Sequence, residues 1–502
     1  MTGSPPESPP APPESPPARS ASLTARTIRG AAWTLSTSLG SRVIGLVGTL
    51  LLVHFLVPAE YGEVTAAQIV TLTAFSVTSL GVGVYLLSNR NLTRAEAFHA
   101  TCWFLSTGIV AQGIVWALSG PLGAWLEAPN LGRYMPLFVL SAVLDRITFL
   151  PERMLLRQLR FRWASLSRAA SELVYTALSL TLAWLGFGAM SLAWAYLARA
   201  ALRFVALVPA VDWREWLEPH RLRAATLRAI IRSGVGVSLA QVATNLMRRW
   251  DNLLVSVYFG PATMGAYNYA YNLADTPAVA IGEQISDVVA ASFPHAEGPK
   301  RQAALIRACT MISLIMFPLA FGLGAVAITV EQAFFNQKWA GVGTMLVFLS
   351  ILSAPRPMAQ IVQSYFYADQ RRRAVAWLEW LSLGAMMGGI ATIGRLGILW
   401  TCGTVGAAFL LRTLALLWAV KRLDGIPLRL FLVPLLRPLV ACLAMVAAIL
   451  AARPALHGLA PIVRLFVEVG LGAAVYLAGA RLIFRAAARE FLGLLRSGMS
   501  GR

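Results

Sequence analysis

Six arginines, Arg42, Arg146, Arg203, Arg248, Arg356 and Arg412, each lie roughly eleven to sixteen residues inside an apolar stretch. On a helix rising about 1.5 Å per residue, that depth is close to the middle of a ~30 Å hydrocarbon layer. A charged side chain facing lipid there costs about 2.5–3.5 kcal/mol. Six such costs rival the whole stability of an ordinary fold. These side chains must therefore be hydrated, paired or turned toward a ligand. A guanidinium is permanently charged and planar, and its donors match the oxygens of a phosphate. The chemistry on offer is anion recognition at bilayer depth.

The stretch SLAQVATNLMRRWDNLLVS, residues 238–256, carries the densest example. Ser238, Gln241, Asn245, Arg248, Asn252 and Ser256 recur at steps of three and four, with Arg249 beside them. On one continuous helix they share a face, and a polar face in a membrane turns toward protein or water. Thr34, Ser38, Arg42, Gly45 and Thr49 repeat the pattern, and Asn268, Asn272, Asp275, Gly282 and Ser286 give a looser one. The reading is a single hydrated cavity lined by three spans. Arg356 sits between two prolines in APRP, which predicts a broken helix where water or protein satisfies the freed backbone groups. The deep acids are mainly Asp145, Asp251 and Asp275; being fewer than the deep bases, they leave the cavity net positive. The expected cavity residues are Arg42, Arg146, Arg248, Arg249, Arg356, Asn245, Asn252 and Gln241. Asp275, Asp145 and Asp251 are the candidates for a coupling proton or sodium ion. Trp250, Tyr267, Tyr269, Tyr271 and Tyr365 could stack on sugars.

The elements that must position these residues follow from composition. The chain has 502 residues, 57 % hydrophobic and 13 % charged, where a soluble domain has about 25 % charged. Fourteen apolar spans are expected, at about 30–57, 64–87, 96–118, 134–151, 167–187, 189–210, 233–259, 264–292, 306–328, 341–366, 374–394, 398–420, 431–451 and 462–484. The formal charge of +20 does not indicate nucleic acid, because the basic residues occupy short loops between spans. They alternate between loops rich and poor in arginine, which predicts that both termini are cytoplasmic. The four cysteines form no CxxC pair, the five histidines are scattered, and no Walker-type loop is present, so neither a metal nor a nucleotide cofactor is expected.

Four regions are expected. Residues 1–22 form a Pro-rich cytoplasmic tail that repeats PPESPPA and cannot bury a core. Residues 23–215 and 216–425 form two six-span units, and 426–502 adds two spans and a short cytoplasmic end. The repeat shows as PAEYG at 58–62 against PATMG at 261–265, LRFVAL at 202–207 against LRTLAL at 411–416, and Glu172 against Glu379. Six spans per unit is even, so the units share an orientation and relate about an axis along the membrane normal.

GAAWTLSTSLG at 30–40, LLVHFLVPAEYG at 51–62, DNLLVSVYFGPATMGAYNYAYNLAD at 251–275, FPHAEG at 293–298, NQKW at 336–339 and the RPMAQIVQSYFYADQRRR stretch resemble one family in order and spacing. It is the Wzx-like oligosaccharide flippases, in the polysaccharide-exporter branch of the MOP superfamily. The resemblance covers nearly all of the membrane part. It implies an all-α integral membrane fold of about fourteen helices, with two pseudo-symmetric six-helix lobes in a V and two more helices at the C-terminus. It also implies a transporter rather than an enzyme, working by alternating access in a bacterial cytoplasmic (inner) membrane. The implied cargo is an undecaprenyl-diphosphate-linked glycan destined for O-antigen, capsule or exopolysaccharide. Membrane lipids and polysaccharide polymerase machinery are the implied partners. Two alternatives stay open: a multidrug exporter of the same superfamily, disfavoured by the basic cavity, and a lipid II flippase.

Overall fold

A computed structural model of the protein describes residues 40, 44–79, 82–89, 92–158, 160–278, 282, 286, 293 and 298–483. Among them the regular structure is helical, with no strand. After a helical stretch at 44–52, the longer elements are α1 (Pro58–Thr78), α2 (Val82–Ser88), α3 (Arg94–Ala117), α4 (Ser119–Trp125), α5 (Leu131–Arg157), α6 (Phe161–Trp184), α7 (Met190–Leu207) and α8 (Ala224–Met247). There follow α9 (Trp250–Pro277), α10 (Gly298–Phe334), α11 (Val342–Leu349), α12 (Pro355–Ala368), α13 (Arg372–Thr392), α14 (Ile398–Asp424), α15 (Arg429–Ala452) and α16 (Pro461–Ile483). Local chemistry sets several of these ends. Thr93 and Glu96 form a capping box at the start of α3. Pro58 opens α1 at a first-turn position where no backbone donor is needed. Gly425, with φ 71°, ends α14 just after Lys421 and Arg422.

Eight of the described helices are long and apolar enough to cross a membrane. Helix is present within each of the fourteen expected ranges, but three ranges need correction. The expected span at 64–87 begins at Pro58 and is divided after Thr78. The span at 341–366 is divided by a 3₁₀ turn at Ser350–Ser353, just before Pro355. The span at 233–259 breaks at Arg248 and Arg249, where Arg249 leaves the helical region with φ −137° and ψ −31°. The six-residue polar stripe therefore does not run along one rod. α9 itself turns at Gly260, whose φ of 79° lies outside the helical range.

The two PAxxG motifs meet face to face. A Cβ on Gly62 would sit 1.9 Å from the Pro261 carbonyl oxygen, and one on Gly265 would sit 2.1 Å from the Pro58 carbonyl oxygen. Each glycine thus lets its backbone touch the other motif's proline, a reciprocal close approach of the kind small residues permit between membrane helices. This seam joins α1 to α9. Around it Tyr61 donates to Asn268 Oδ1 at 3.0 Å, Tyr269 to the Thr49 carbonyl at 3.2 Å, and the Trp339 indole to the Val53 carbonyl at 3.0 Å. α15 and α16 pack on α10. There the buried Glu468 accepts from Thr329 at 2.7 Å and pairs with Arg464 at 3.1 Å and Arg453 at 3.3 Å.

Candidate functional site

The break in the 341–366 range places Arg356 in the first turn of α12. Side-chain bonds tie the broken segment to its neighbours: Thr413 of α14 donates to the Pro355 carbonyl at 3.0 Å, and Ser353 donates to the Ala274 carbonyl on α9. From that turn the Arg356 side chain bonds the Asp275 carboxylate on α9. Arg248, at the C-terminal end of α8, bonds the other oxygen of Asp275 at 3.3 Å. Close by, the fully buried Glu379 of α13 accepts from Arg412 at 2.9 Å, from Thr244 at 3.1 Å and from Gln363.

These groups surround a polar cavity of about 70 Å³ lined by Gln241, Arg248, Arg356, Gln360, Gln363 and Arg412, among others. Three guanidiniums face two carboxylates, so the cluster carries a net positive charge. Arg356 is only 8 % exposed, and among the described residues its Nη2 has no hydrogen-bond partner. The cavity itself is lined by the guanidiniums of Arg248, Arg356 and Arg412, with which an anion would form charge-assisted bonds. The Arg356 guanidinium also lies 5.0 Å from the Phe409 ring centre and 5.9 Å from that of Tyr271, contacts that hold a cation in place.

A second cavity, of about 420 Å³, lies between α1 and α8 and shares Gln241 with the first. Its walls are largely apolar, with Leu72, Phe75, Phe149, Val242 and Leu246, and are studded with hydroxyls and amides from Thr73, Ser76, Ser79, Ser238, Gln241 and Asn245 and with the charges of Arg153 and Arg249. Asn245 donates to Ser76 at 3.0 Å, and Trp250 donates to Thr73 at 3.1 Å. Such a surface suits sugar hydroxyls.

The structure thus brings Gln241, Arg248, Arg356 and Asp275 together, and places Asn245 and Arg249 on the adjoining cavity. The others lie elsewhere. Arg42 is outside the described residues. Arg146 is a correction: it is fully buried in a helix seam, donating to the Phe104 carbonyl at 2.7 Å, the Phe75 carbonyl at 3.1 Å and the Thr78 hydroxyl. The rings of Phe104 and Phe75 lie 4.6 and 4.7 Å from it. The absent side chain of Gly108 opens its slot, since a Cβ there would fall 2.0 Å from Arg146 Nε. Asn252 and Asp251 are also buried away from both cavities. Asp251 accepts from Tyr267 at 2.6 Å and from Asn252 at 3.0 Å, and Asn252 accepts from Asn268 at 2.9 Å. Asp145 bonds Arg203 at 2.8 Å. Of the aromatic candidates, Tyr267 and Tyr269 are fully buried, and Trp250 is exposed beside the second cavity. Gln360 and Gln363 join the site without having been singled out in residue order, and Glu379 and Arg412, each marked in the sequence, join it as a pair. The spacing 356, 360, 363 on one helical face is the signal that marks the first two.

Comparison with known proteins bears on fold and family. The structure superposes on the lipid II flippase MurJ in an inward closed conformation with a TM-score of 0.73, at 15 % identity over 90 % of this chain and 98 % of that one. It superposes on an inward-facing multidrug resistance MATE family transporter of the MOP superfamily with a TM-score of 0.60, at 16 % identity over 79 % and 99 %. At those identities the likeness is one of fold. In sequence, the chain is 22 % identical to the succinoglycan biosynthesis transport protein ExoT of Rhizobium meliloti over 93 % of this chain and 95 % of that one. It is 21 % identical to the lipopolysaccharide biosynthesis protein WzxC of Escherichia coli over 69 % and 70 %. The family profile described as "Polysaccharide biosynthesis protein" matches residues 51–343, more than half of the chain, and the protein belongs to that family.

Proposed function

We propose that the protein is a flippase that carries an undecaprenyl-diphosphate-linked oligosaccharide across the bacterial cytoplasmic membrane for polysaccharide export. The observation that carries the reading is the net-positive cavity among transmembrane helices that Arg248, Arg356 and Arg412 line together. A diphosphate offers several oxygens with which guanidiniums form charge-assisted, bidentate hydrogen bonds. The cavity of about 70 Å³ has room for about two waters as it stands, so it widens as the cargo enters; the diphosphate then sits against Arg356, Arg248 and Arg412, and the first sugars lie in the adjoining cavity beside Gln241 and Asn245. The protein supplies no covalent chemistry. The two units, 23–215 and 216–425, rock about the α1–α9 seam, and the 426–502 region flanks them. Residues 1–22 form a cytoplasmic tail, both termini are cytoplasmic, and released cargo passes to polysaccharide polymerase machinery. Asp275 is the carboxylate through which a proton or sodium ion couples to transport. Asp251 and Asp145 are less suited to that role because neither bonds an arginine that lines the charged cavity. A cationic drug is disfavoured as cargo by the same charge balance.

The test is translocation in vesicles reconstituted with a fluorescent undecaprenyl-diphosphate oligosaccharide. Dithionite or lectin accessibility reports the leaflet. The wild type moves the label across, and Arg356→Ala moves it only at the background rate. Equal rates for the two proteins would remove the reading.

A further inference from the structure

A further cavity is not polar. A groove of about 930 Å³ runs between α13 and α14, open at the apolar outer surface of these helices. One wall is a single stripe of α13, Ser382, Ala385 and Gly389, and the other is a single stripe of α14, Thr404, Ala407, Leu411 and Ala415. Small residues form the floor, while Leu381, Trp400 and Leu411 stand exposed along the rim. Its volume lies at the upper end of the ~300–1,000 Å³ usual for ligand sites.

The position of Arg412 gives the groove its meaning. This residue lines both the apolar groove and the polar cavity of Arg248 and Arg356. On α14, Phe409 and Arg412 face the charged cavity, while Thr404, Ala407 and Leu411 face the groove. A molecule that fills both must be ionic at one end and a long hydrocarbon at the other, with the change of character at the Glu379–Arg412 pair.

We propose that the groove between α13 and α14 is the binding site for the polyprenyl chain of the cargo, entered past Arg412 while the diphosphate is held by Arg356. This assignment rests on the proposed function and adds to it a place for the chain. Held in this groove, the first isoprene units are desolvated against protein and fix the direction in which the head enters the charged cavity. The groove then selects long-chain lipid diphosphates over short ones, which the polar cavity alone cannot do.

Gly403 provides a way to fill the groove without straining the backbone, since a Cβ there meets no atom within 4 Å. Ala407 is exposed on the same wall. The protein in phosphatidylcholine nanodiscs is titrated with undecaprenyl diphosphate and with isopentenyl diphosphate, which carries the same head on one isoprene unit. Gly403→Phe and Ala407→Phe should weaken undecaprenyl diphosphate about tenfold and leave isopentenyl diphosphate unchanged. Arg356→Ala should weaken both. Wild-type affinity for undecaprenyl diphosphate in both phenylalanine variants would overturn the groove while leaving the flippase reading in place. If the wild type binds neither compound, the flippase reading falls, and the groove assignment with it. A photoreactive p-benzoylphenylalanine at Leu411 in the full-length protein gives an independent reading. Cross-linking to undecaprenyl diphosphate in excess over bulk phospholipid supports the assignment, and cross-linking to phospholipid alone overturns it.

Discussion

The two halves of the chain carry matching arginines, Arg203 in LRFVAL and Arg412 in LRTLAL, yet they use them differently. In the first half three arginines bridge to three carboxylates. Arg203 bonds Asp145 at 2.8 Å and Glu152 at 2.7 Å, Arg168 bonds Glu152 at 2.7 Å, and Arg199 bonds Glu172 at 3.3 Å. Arg146, in the same half, spends its donors on backbone carbonyls between two phenyl rings. In the second half three arginines share two carboxylates around a cavity. Depth in the membrane does not separate a structural arginine from a binding one. Charge balance, and whether space adjoins the guanidinium, separates them.

That contrast breaks most visibly at Arg203. Arg203→Ala leaves the half-buried Asp145 without its bonded cation and Glu152 with Arg168 alone, at about 1.5–3 kcal/mol for each charged hydrogen bond lost. Thermal unfolding in detergent should show a larger loss of stability for this variant than for substitutions at Arg356, Gly62, Gly265 or Asp251. The protein that remains folded should bind undecaprenyl diphosphate as the wild type does. Arg356→Ala should behave in the opposite way. It removes one of three cavity cations and should lower transport about 100-fold, the equivalent of ~2.7 kcal/mol of charge-assisted bonding, with a normal size-exclusion profile. The seam between the halves offers a third break. Gly62→Ala and Gly265→Ala each force a methyl onto a proline carbonyl and should each cost about 1–3 kcal/mol; the two variants should resemble one another in melting temperature because the contact is reciprocal. The smallest effect is expected at Asp251. Because Tyr267 and Asn252 already occupy its carboxylate, Asp251→Asn should leave the pH and potential dependence of transport unaltered, whereas Asp275→Asn should change it.

Much of this contrast was legible in residue order. The apolar runs announced a helical membrane protein, and the glycines of PAEYG and PATMG, marked in the sequence, meet in the structure. Arg248, Arg356 and Asp275 could be picked out because each was a deep charge on a polar stripe or a broken helix. The stripe from Ser238 to Ser256 misled because no glycine or proline marks the break at Arg248–Arg249. Beyond the break the helix turns Asn252 and Ser256 into the interior. Arg146 misled for another reason. Spacing within α5 gives its depth, but its role depends on Gly108 and Phe104 of α3, which no local pattern links to it. Glu379 and Arg412 were each visible as deep or repeated charges, but their pairing joins α13 to α14 across the loop and is a tertiary fact.

The most direct measurement is the affinity of folded Arg356→Ala and folded Arg203→Ala for undecaprenyl diphosphate, side by side in nanodiscs. Binding about 100-fold weaker in the first and unchanged in the second is the expected result. Equal loss in both, or in neither, would contradict the assignment of the anion site to the second half.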